Sequence, residues 1–472
     1  MRILTGLLCG VVASICLARV AGPGVVIQTR NGGALVAELQ ARGLQTIMSS
    51  VQEFDNGNTF VMLNKEMDKD FSLPLQDVTI PLPAKMSAND LMEVLLSVYA
   101  AKMQYANKIN IYSEVPLENV EFSDEELKGA VLPLMHFFAK AGVHEIQVKG
   151  QGLFETQPLP VRNPKSSIRS SYYIVGNTHP PLRQEIAGKL GRPSYTYEEL
   201  LNLNQSLLNS RVYLISPPTL NANASFFQTL SQIHELVTRG AAVQFVSTYL
   251  PYARSDVPSF THGVATQGRL IATLVESLGI EGSAFVRPHA RQSLGFFSSP
   301  CYEITGRPTI NKFLEAQGVG VIVSPDAGFQ KDATRYAHEL NKHRAADNQV
   351  GVVVINKKRQ IDGTSEIVNA KGLGEEVKGK IAAIIDDETA SGGTMADSAK
   401  AVKAAGAKKV IAVVTHLAGH AKKALSSHDI DLFAATDTLP FDESVWQGDL
   451  TRKFVKLSIA DEVASYIRYL EN

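Results

Sequence analysis

Two carboxylates, Asp386 and Asp387, follow the apolar run 382–385, and a loop of small residues (Ala390, Ser391, Gly392, Gly393 and Thr394) then leads into the helical stretch MADSAKAVKAAGA. Glycines let backbone N–H groups approach an anion, a helix N-terminus adds partial positive charge, and the hydroxyls of Ser391 and Thr394 can donate. The loop is suited to holding a phosphate, and the acidic pair, where the apolar strand ends, to binding sugar hydroxyls beside it. An ordinary strand-to-helix turn with an acidic cap would use some of the same residues. The strand, the double Asp and the helix standing in register favour the phosphate.

Further residues able to do chemistry recur at the ends of apolar runs. Arg254 and Asp256 close the segment PYARSD, His289 stands between Arg287 and Arg291, Asp326 lies in SPDAG, and Lys357 and Arg359 lie in NKKR. Cations such as Lys357 and Arg359 can neutralise charge developing between a transferring and a leaving phosphate; a solvated basic turn is the plainer use. A histidine between two arginines at a strand end is poorly placed for a core role.

Positioning these groups requires strands that end together. From Val25 onward, runs of apolar residues alternate with amphipathic helical stretches, the pattern of α/β layers with mainly parallel sheets flanked by helices. The chain divides into a block at 25–155, a polar, proline-containing linker at 156–171, a block at 172–308, a block at 309–458 and a terminal helix at 459–472. The first two blocks look like copies of one unit. Strand, helix (ALVAELQARG or PLRQEIAGKLG), strand-rich region and helix (DLMEVLLSVYAAKM or FFQTLSQIHELVTRG) recur in order, and AGVHEIQVKGQGLFETQP aligns with LGIEGSAFVRPHARQSLGFFSSP. The second copy carries Arg254, Asp256, His289 and Arg291 where the first has none of them, so the first is degenerate. A chain beginning near Ser166 is expected to fold by itself, since the second and third blocks keep their own strands.

A chain of 472 residues exceeds what one hydrophobic core supports, which agrees with several domains. With 46 basic and 47 acidic side chains the net charge is −1, so no global field draws it to nucleic acid or anionic lipid. Of three cysteines, two (Cys9 and Cys16) lie within the first 20 residues, leaving Cys301 without a disulfide partner downstream. Residues 1–24 are leader-like: Arg2 precedes sixteen uncharged residues, and Ala18, Ala21 and Gly22 are small, as at a signal-peptide cleavage site, although Arg19 interrupts them. A start-site extension would serve equally.

The segment AAIIDDETASGGT resembles the 5-phosphoribosyl 1-diphosphate loop of the phosphoribosyltransferase fold, and SPDAG, NKKR, PYARSD and PHARQSLGFF follow the motifs and order of the ribose-phosphate pyrophosphokinase family. The resemblance implies three phosphoribosyltransferase-like α/β domains, the first an added degenerate repeat, and transfer of a diphosphoryl group from ATP to ribose 5-phosphate with magnesium (Mg2+). It implies catalytic roles for Lys357, Arg359 and His289, ATP contacts from Arg254 and Asp256, and a metal site at His289 and Asp326. Ribose 5-phosphate would be held by Asp386, Asp387 and the loop Ala390, Ser391, Gly392, Gly393 and Thr394. The family's adenine loop, supplied across a subunit interface, has its counterpart in the first block, FDNGN, so Phe54, Asn56 and Asn58 are expected to complete the ATP site from within one chain; a simple turn is the alternative for these residues.

Several positions depart from the family. Ser255 replaces a usual Gln, Arg287 and Pro288 replace Asp-Leu before the histidine, Phe329 replaces a second Gly, Asp332 stands where a basic residue is common, and Ala390 stands at a position often Asp. Arg287 thus puts a cation where a carboxylate is expected near a metal. These departures leave two further readings: a non-catalytic homologue that binds ribose phosphate or nucleotide, and a phosphoribosyltransferase proper. ATP dependence favours the cytoplasm, a cleaved leader would favour export, and the oligomeric state, including a homo-oligomer, stays open.

Overall fold

The structure is a computed structural model that describes residues 25–53, 59–63, 76–104, 106–127, 130, 132–149, 153–156, 171–203, 205–219, 222–258, 266–359, 365–369, 373–441 and 453–472. The leader-like segment, most of the linker and Phe54, Asn56 and Asn58 lie outside the described residues. Among those described, no helix is long and apolar enough to cross a membrane.

Buried apolar strands build three six-stranded sheets. The first runs, in spatial order, through Leu153–Glu155, Glu145–Val148, Lys108–Ser113, Asp77–Leu82, Val25–Gln28 and Gln45–Met48. The second runs through Ser194–Tyr195, Tyr172–Val175, Arg211–Ile215, Ala242–Ser247, Gly282–Val286 and Cys301–Ile304. The third runs through Gly351–Val354, Val321–Ser324, Ile381–Thr389, Lys409–Leu417, Leu432–Thr436 and Phe454–Leu457. All neighbours in the second and third sheets pair parallel. Parallel strands need crossover connections whose helices cover the faces, so strands such as AVQFVS and VIVS are buried throughout.

The first two sheets share one strand order, and their helices correspond: Gly33–Ala41 with Pro180–Leu190, Ala88–Met103 with Ala222–Thr238, and Leu134–Ala141 with Gln267–Ser277. They part in two places. An antiparallel hairpin, Ser50–Glu53 with Thr59–Met62, occupies the first unit where the second has the short helix Tyr197–Asn202. The alignment at the far edge also fails: Leu153–Glu155 turns straight back antiparallel onto Glu145–Val148, whereas the second unit reaches Cys301–Ile304 through a longer excursion and pairs parallel. That excursion carries His289 and Arg291, so the tight return leaves the first unit nowhere to place their counterparts.

Corresponding helices pack on one another across the two units. Ala88–Met103 lies on Ala222–Thr238 and Leu134–Ala141 lies on Gln267–Ser277, with Phe137 and Phe227 meeting at 6.5 Å between ring centroids. One continuous apolar core therefore includes Leu95, Phe137 and Phe138 from the first unit and Phe227, Leu230 and Leu274 from the second. A chain starting near Ser166 would leave the second unit's half of that core uncovered. The opposite face of the second sheet is covered by Pro180–Leu190 and the terminal helix Ala460–Glu471. Tyr466 accepts a hydrogen bond from Gln244 at 2.7 Å, and Glu471 pairs with Arg192.

Candidate active site

Ligands in open parallel sheets bind beyond the carboxyl ends of the strands. The carboxyl ends of the second and third sheets face each other. Tyr249, which follows Ala242–Ser247, meets His416 of Lys409–Leu417 edge to face at 5.1 Å, and Tyr249, Ala418 and Leu439 form a small apolar contact.

The small-residue loop is shaped by its backing. Gly392 has φ 80°, the left-handed region, and caps the helix Gly393–Ala404. A Cβ there would lie 2.5 Å from the Ala424 Cβ and 2.8 Å from its amide nitrogen, so only glycine fits. The N–H groups of Ala418, Ala421 and Lys423 donate to the carbonyls of Thr389, Ala390 and Ser391 at 2.8–2.9 Å, fixing the loop from below. Ser391 and Thr394 are exposed. The first amides of a helix have no acceptor within it, so this twelve-residue helix presents an anion-binding end beside two hydroxyl side chains.

The acidic pair does not end its strand. Ile381–Thr389 continues past it, Asp386 opposite Val414 and Glu388 opposite His416. Nor does Asp387 lie at the surface. It is buried and its Oδ2 is 2.6 Å from His289 Nδ1. This bond holds the imidazole above its ordinary pKa, although burial opposes it. Burial would raise Asp387, but the His289 bond and charge, with Arg287, bring it below the usual carboxylate range. Asp386 goes the other way, well above that range, because it is desolvated and repelled by Asp387 and Asp326.

Glu388 was not singled out from the sequence, since the strand was taken to end one residue earlier. It is buried, accepts a hydrogen bond from Tyr249 at 3.3 Å, and lies 3.6 Å from Arg254 Nε. Burial works against the Arg254 charge, yet Glu388, Tyr249 and the acidic pair leave its pKa raised. Asp256 accepts from Gln292 Nε2, which joins the PYARSD turn to the segment after His289. Asp326 is exposed and its Oδ1 accepts the Phe329 N–H at 3.1 Å. Arg254, His289, Asp326, Asp386 and Asp387 therefore occupy one region, close enough that their charges act on one another. Lys357 and Arg359 lie on Asn356–Arg359, one strand of an antiparallel ribbon with Ser365–Asn369 that follows Ile355.

His289 and Asp326, the expected metal pair, both stand in this region. Among the described residues no group of three or more His, Cys, Asp or Glu is placed to hold a metal ion, and His289 Nδ1 is engaged by Asp387. The donor set still fits a hard cation that keeps most of its ligands from water and substrate oxygens. Asp326, whose charge acts on Asp386, would hold such a cation together with it.

Arg287 has a counter-charge of its own. Its Nη2 lies 2.5 Å from Asp332 Oδ2 and its guanidinium stands 5.8 Å from the centre of the Phe329 ring. Three departures from the family pattern thus touch one another, and the charges at 287 and 332 are exchanged rather than lost.

The hairpin of the first unit reaches this region as well. Thr59, next to its turn, donates its N–H to Tyr252 Oη at 3.0 Å and accepts from Asn223 Nδ2 at 2.9 Å, while Tyr252 Oη donates to Asn223 Oδ1 at 2.8 Å. Tyr252 belongs to the PYARSD turn, two residues before Arg254.

Comparison with known proteins gives matches of three kinds. Residues 311–451 match a family model described as a phosphoribosyl transferase domain. The chain is 27% identical over 312 residues to a ribose-phosphate pyrophosphokinase of Vibrio vulnificus, covering 63% of this chain and 95% of that one, and 29% identical over 310 residues to one of Clostridium perfringens, covering 62% and 92%. In fold it is similar to the crystal structure of phosphoribosylpyrophosphate synthetase from Mycobacterium smegmatis, with a TM-score of 0.54 at 23% identity, covering 64% of this chain and 99% of that one.

Proposed function

Since the chain is a homologue of the ribose-phosphate pyrophosphokinases and carries a phosphoribosyl transferase domain, we propose that it transfers the diphosphoryl group of ATP to the 1-hydroxyl of ribose 5-phosphate, yielding 5-phosphoribosyl 1-diphosphate and AMP. The observation that carries this reading is the meeting of the two halves of such a site. The glycine-capped loop and acidic pair of the third sheet stand against His289 and Arg254 of the second.

The sugar phosphate would sit on the amides and hydroxyls of Ala390, Ser391, Gly392, Gly393 and Thr394, with Asp386 and Asp387 toward the ribose. Attack of the 1-hydroxyl oxygen on the β-phosphorus forms one P–O bond as the bond to the α-phosphate oxygen breaks. Lys357 and Arg359 would offset the charge that builds on the transferring group. His289, held through Nδ1 by Asp387, keeps Nε2 for the substrate side. Mg2+, bound by Asp326 and Asp386 together with substrate phosphates, would supply charge neutralisation. Arg254, Asp256 and the hairpin residues Phe54, Asn56 and Asn58 would take the nucleotide, and ATP as substrate points to the cytoplasm.

A second reading, a non-catalytic binder of ribose phosphate, is favoured by the ion pairs themselves: Glu388 engages Arg254 and Asp387 engages His289, two groups the reaction would use. AMP formation from ribose 5-phosphate and MgATP, measured beside Lys357→Ala, separates the two. Turnover lost in the variant supports the kinase; no turnover in either, with ribose 5-phosphate still bound, supports the binder.

A further inference from the structure

The segment that carries His289 is fixed two residues earlier, at Arg287. Its N–H donates to the Ile304 carbonyl at 3.0 Å, extending the pairing of the second sheet. Its carbonyl accepts from His416 Nε2 of the third sheet at 2.9 Å. Because a carbonyl only accepts, that nitrogen carries the proton, and Nδ1 of the buried His416 lies 2.9 Å from Thr438 Oγ1. The backbone at Arg287 is left-handed, φ 39°, in a residue that is not glycine. Such a conformation persists where the surroundings over-determine it.

The side chain supplies the rest of the constraint. Arg287 is almost fully buried, its side chain 5% exposed, and it meets Asp332 at 2.5 Å; Asp332 in turn takes Arg335 at 2.9 Å. The guanidinium lies over Phe329, which stacks on buried Tyr336 of the same helix, Gln330–Asn341. Arg287 is thereby tied to the helix that follows the Asp326 turn and, through His416, to the strand beside the acidic pair. Pro288 then stiffens the single step to His289, because its ring fixes φ.

We infer that Arg287 is a positioning residue: with Asp332 it locks the second unit to the third so that the imidazole of His289 is delivered to Asp387. The lock touches no reacting atom. A buried charge pair suits this task because either charge left alone is strongly disfavoured, which makes the docked arrangement all-or-none. The inference deepens the proposed function by saying how its histidine is aimed, and it rests on that reading only for the use made of His289.

The test is charge reversal in the full chain: Arg287→Asp, Asp332→Arg and the two together. The readout is the pattern of ring nitrogen shifts of His289 in protein labelled with 15N-histidine, which reports the Nδ1 bond to Asp387 without any turnover. Each single reversal should abolish that signature, and the double reversal should bring it back. If a single reversal is unfolded, Asp332→Asn, which removes the charge at nearly constant volume, should give the same loss in a folded chain. An unchanged His289 pattern in any folded single variant would reduce the pair to a structural staple and overturn the inference, as would a double variant no better than the singles. A chain that shows loss and recovery but makes no AMP would keep the positioning role and sink the proposed reaction.

Discussion

Asp387 and His289 show how one hydrogen bond sets two ionisations. His289 titrates above its ordinary 6.5 and Asp387 below its ordinary 3.8. A raised base contributes stability that is complete below 6.5 and fades as pH rises through its folded value. A lowered acid contributes stability that is complete above 3.8 and fades as pH falls through its folded value. The link between the units is therefore whole between those pH values. Asp387→Asn should drop the His289 midpoint, followed by NMR, and flatten the fall in thermal stability above pH 6.5; an unshifted midpoint would contradict the pairing. At Gly392 the requirement is steric. Gly392→Ala forces a Cβ to within 2.5 Å of Ala424 in a left-handed conformation, a backbone cost of about 1–2 kcal/mol before the clash is counted. Weakened ribose 5-phosphate binding by calorimetry, with little change in Gly374→Ala, where a Cβ would meet nothing within 4 Å, is the expected result.

At the scale of elements, the strand-to-helix turn at 386–394 was legible because its parts are contiguous: carboxylates, small residues and a helix follow within a dozen positions. Glu388 was missed because apolar alternation stops at Ile385, while the strand continues on backbone pairing that residue types do not announce. Arg287 looked like damage for a related reason. Its partner Asp332 lies 45 positions away, and only the docking of two sheets brings them together. The repeated succession of strands and helices along the chain was visible in the sequence. The antiparallel return of Leu153–Glu155 was not, since short apolar strands look alike in either direction. The hairpin Ser50–Met62 carries its own prediction. Tyr252→Phe removes a buried hydroxyl bonded to Thr59 and Asn223, costing about 1–3 kcal/mol of stability. If the hairpin delivers Phe54 and its neighbours to the nucleotide, affinity for a non-hydrolysable ATP analogue should fall while that for ribose 5-phosphate holds. Equal losses for both ligands would reduce the hairpin to a brace.

At the scale of the whole molecule, like helices of two unequal copies are buried against each other. Only one of the two strand-end regions keeps Arg254, Asp256 and His289, and the hairpin that reaches it comes from the other copy. A fragment beginning near Ser166 exposes the Phe227, Leu230 and Leu274 surface and should aggregate or self-associate in sedimentation; a well-behaved monomer would contradict the shared core. We propose that this composite arrangement performs diphosphoryl transfer. It is tested most directly by incubating the full chain with ribose 5-phosphate and MgATP and quantifying AMP and 5-phosphoribosyl 1-diphosphate. Equimolar formation of both, abolished by Lys357→Ala, is the predicted result; no AMP above the Lys357→Ala background, while ribose 5-phosphate still binds, would contradict it.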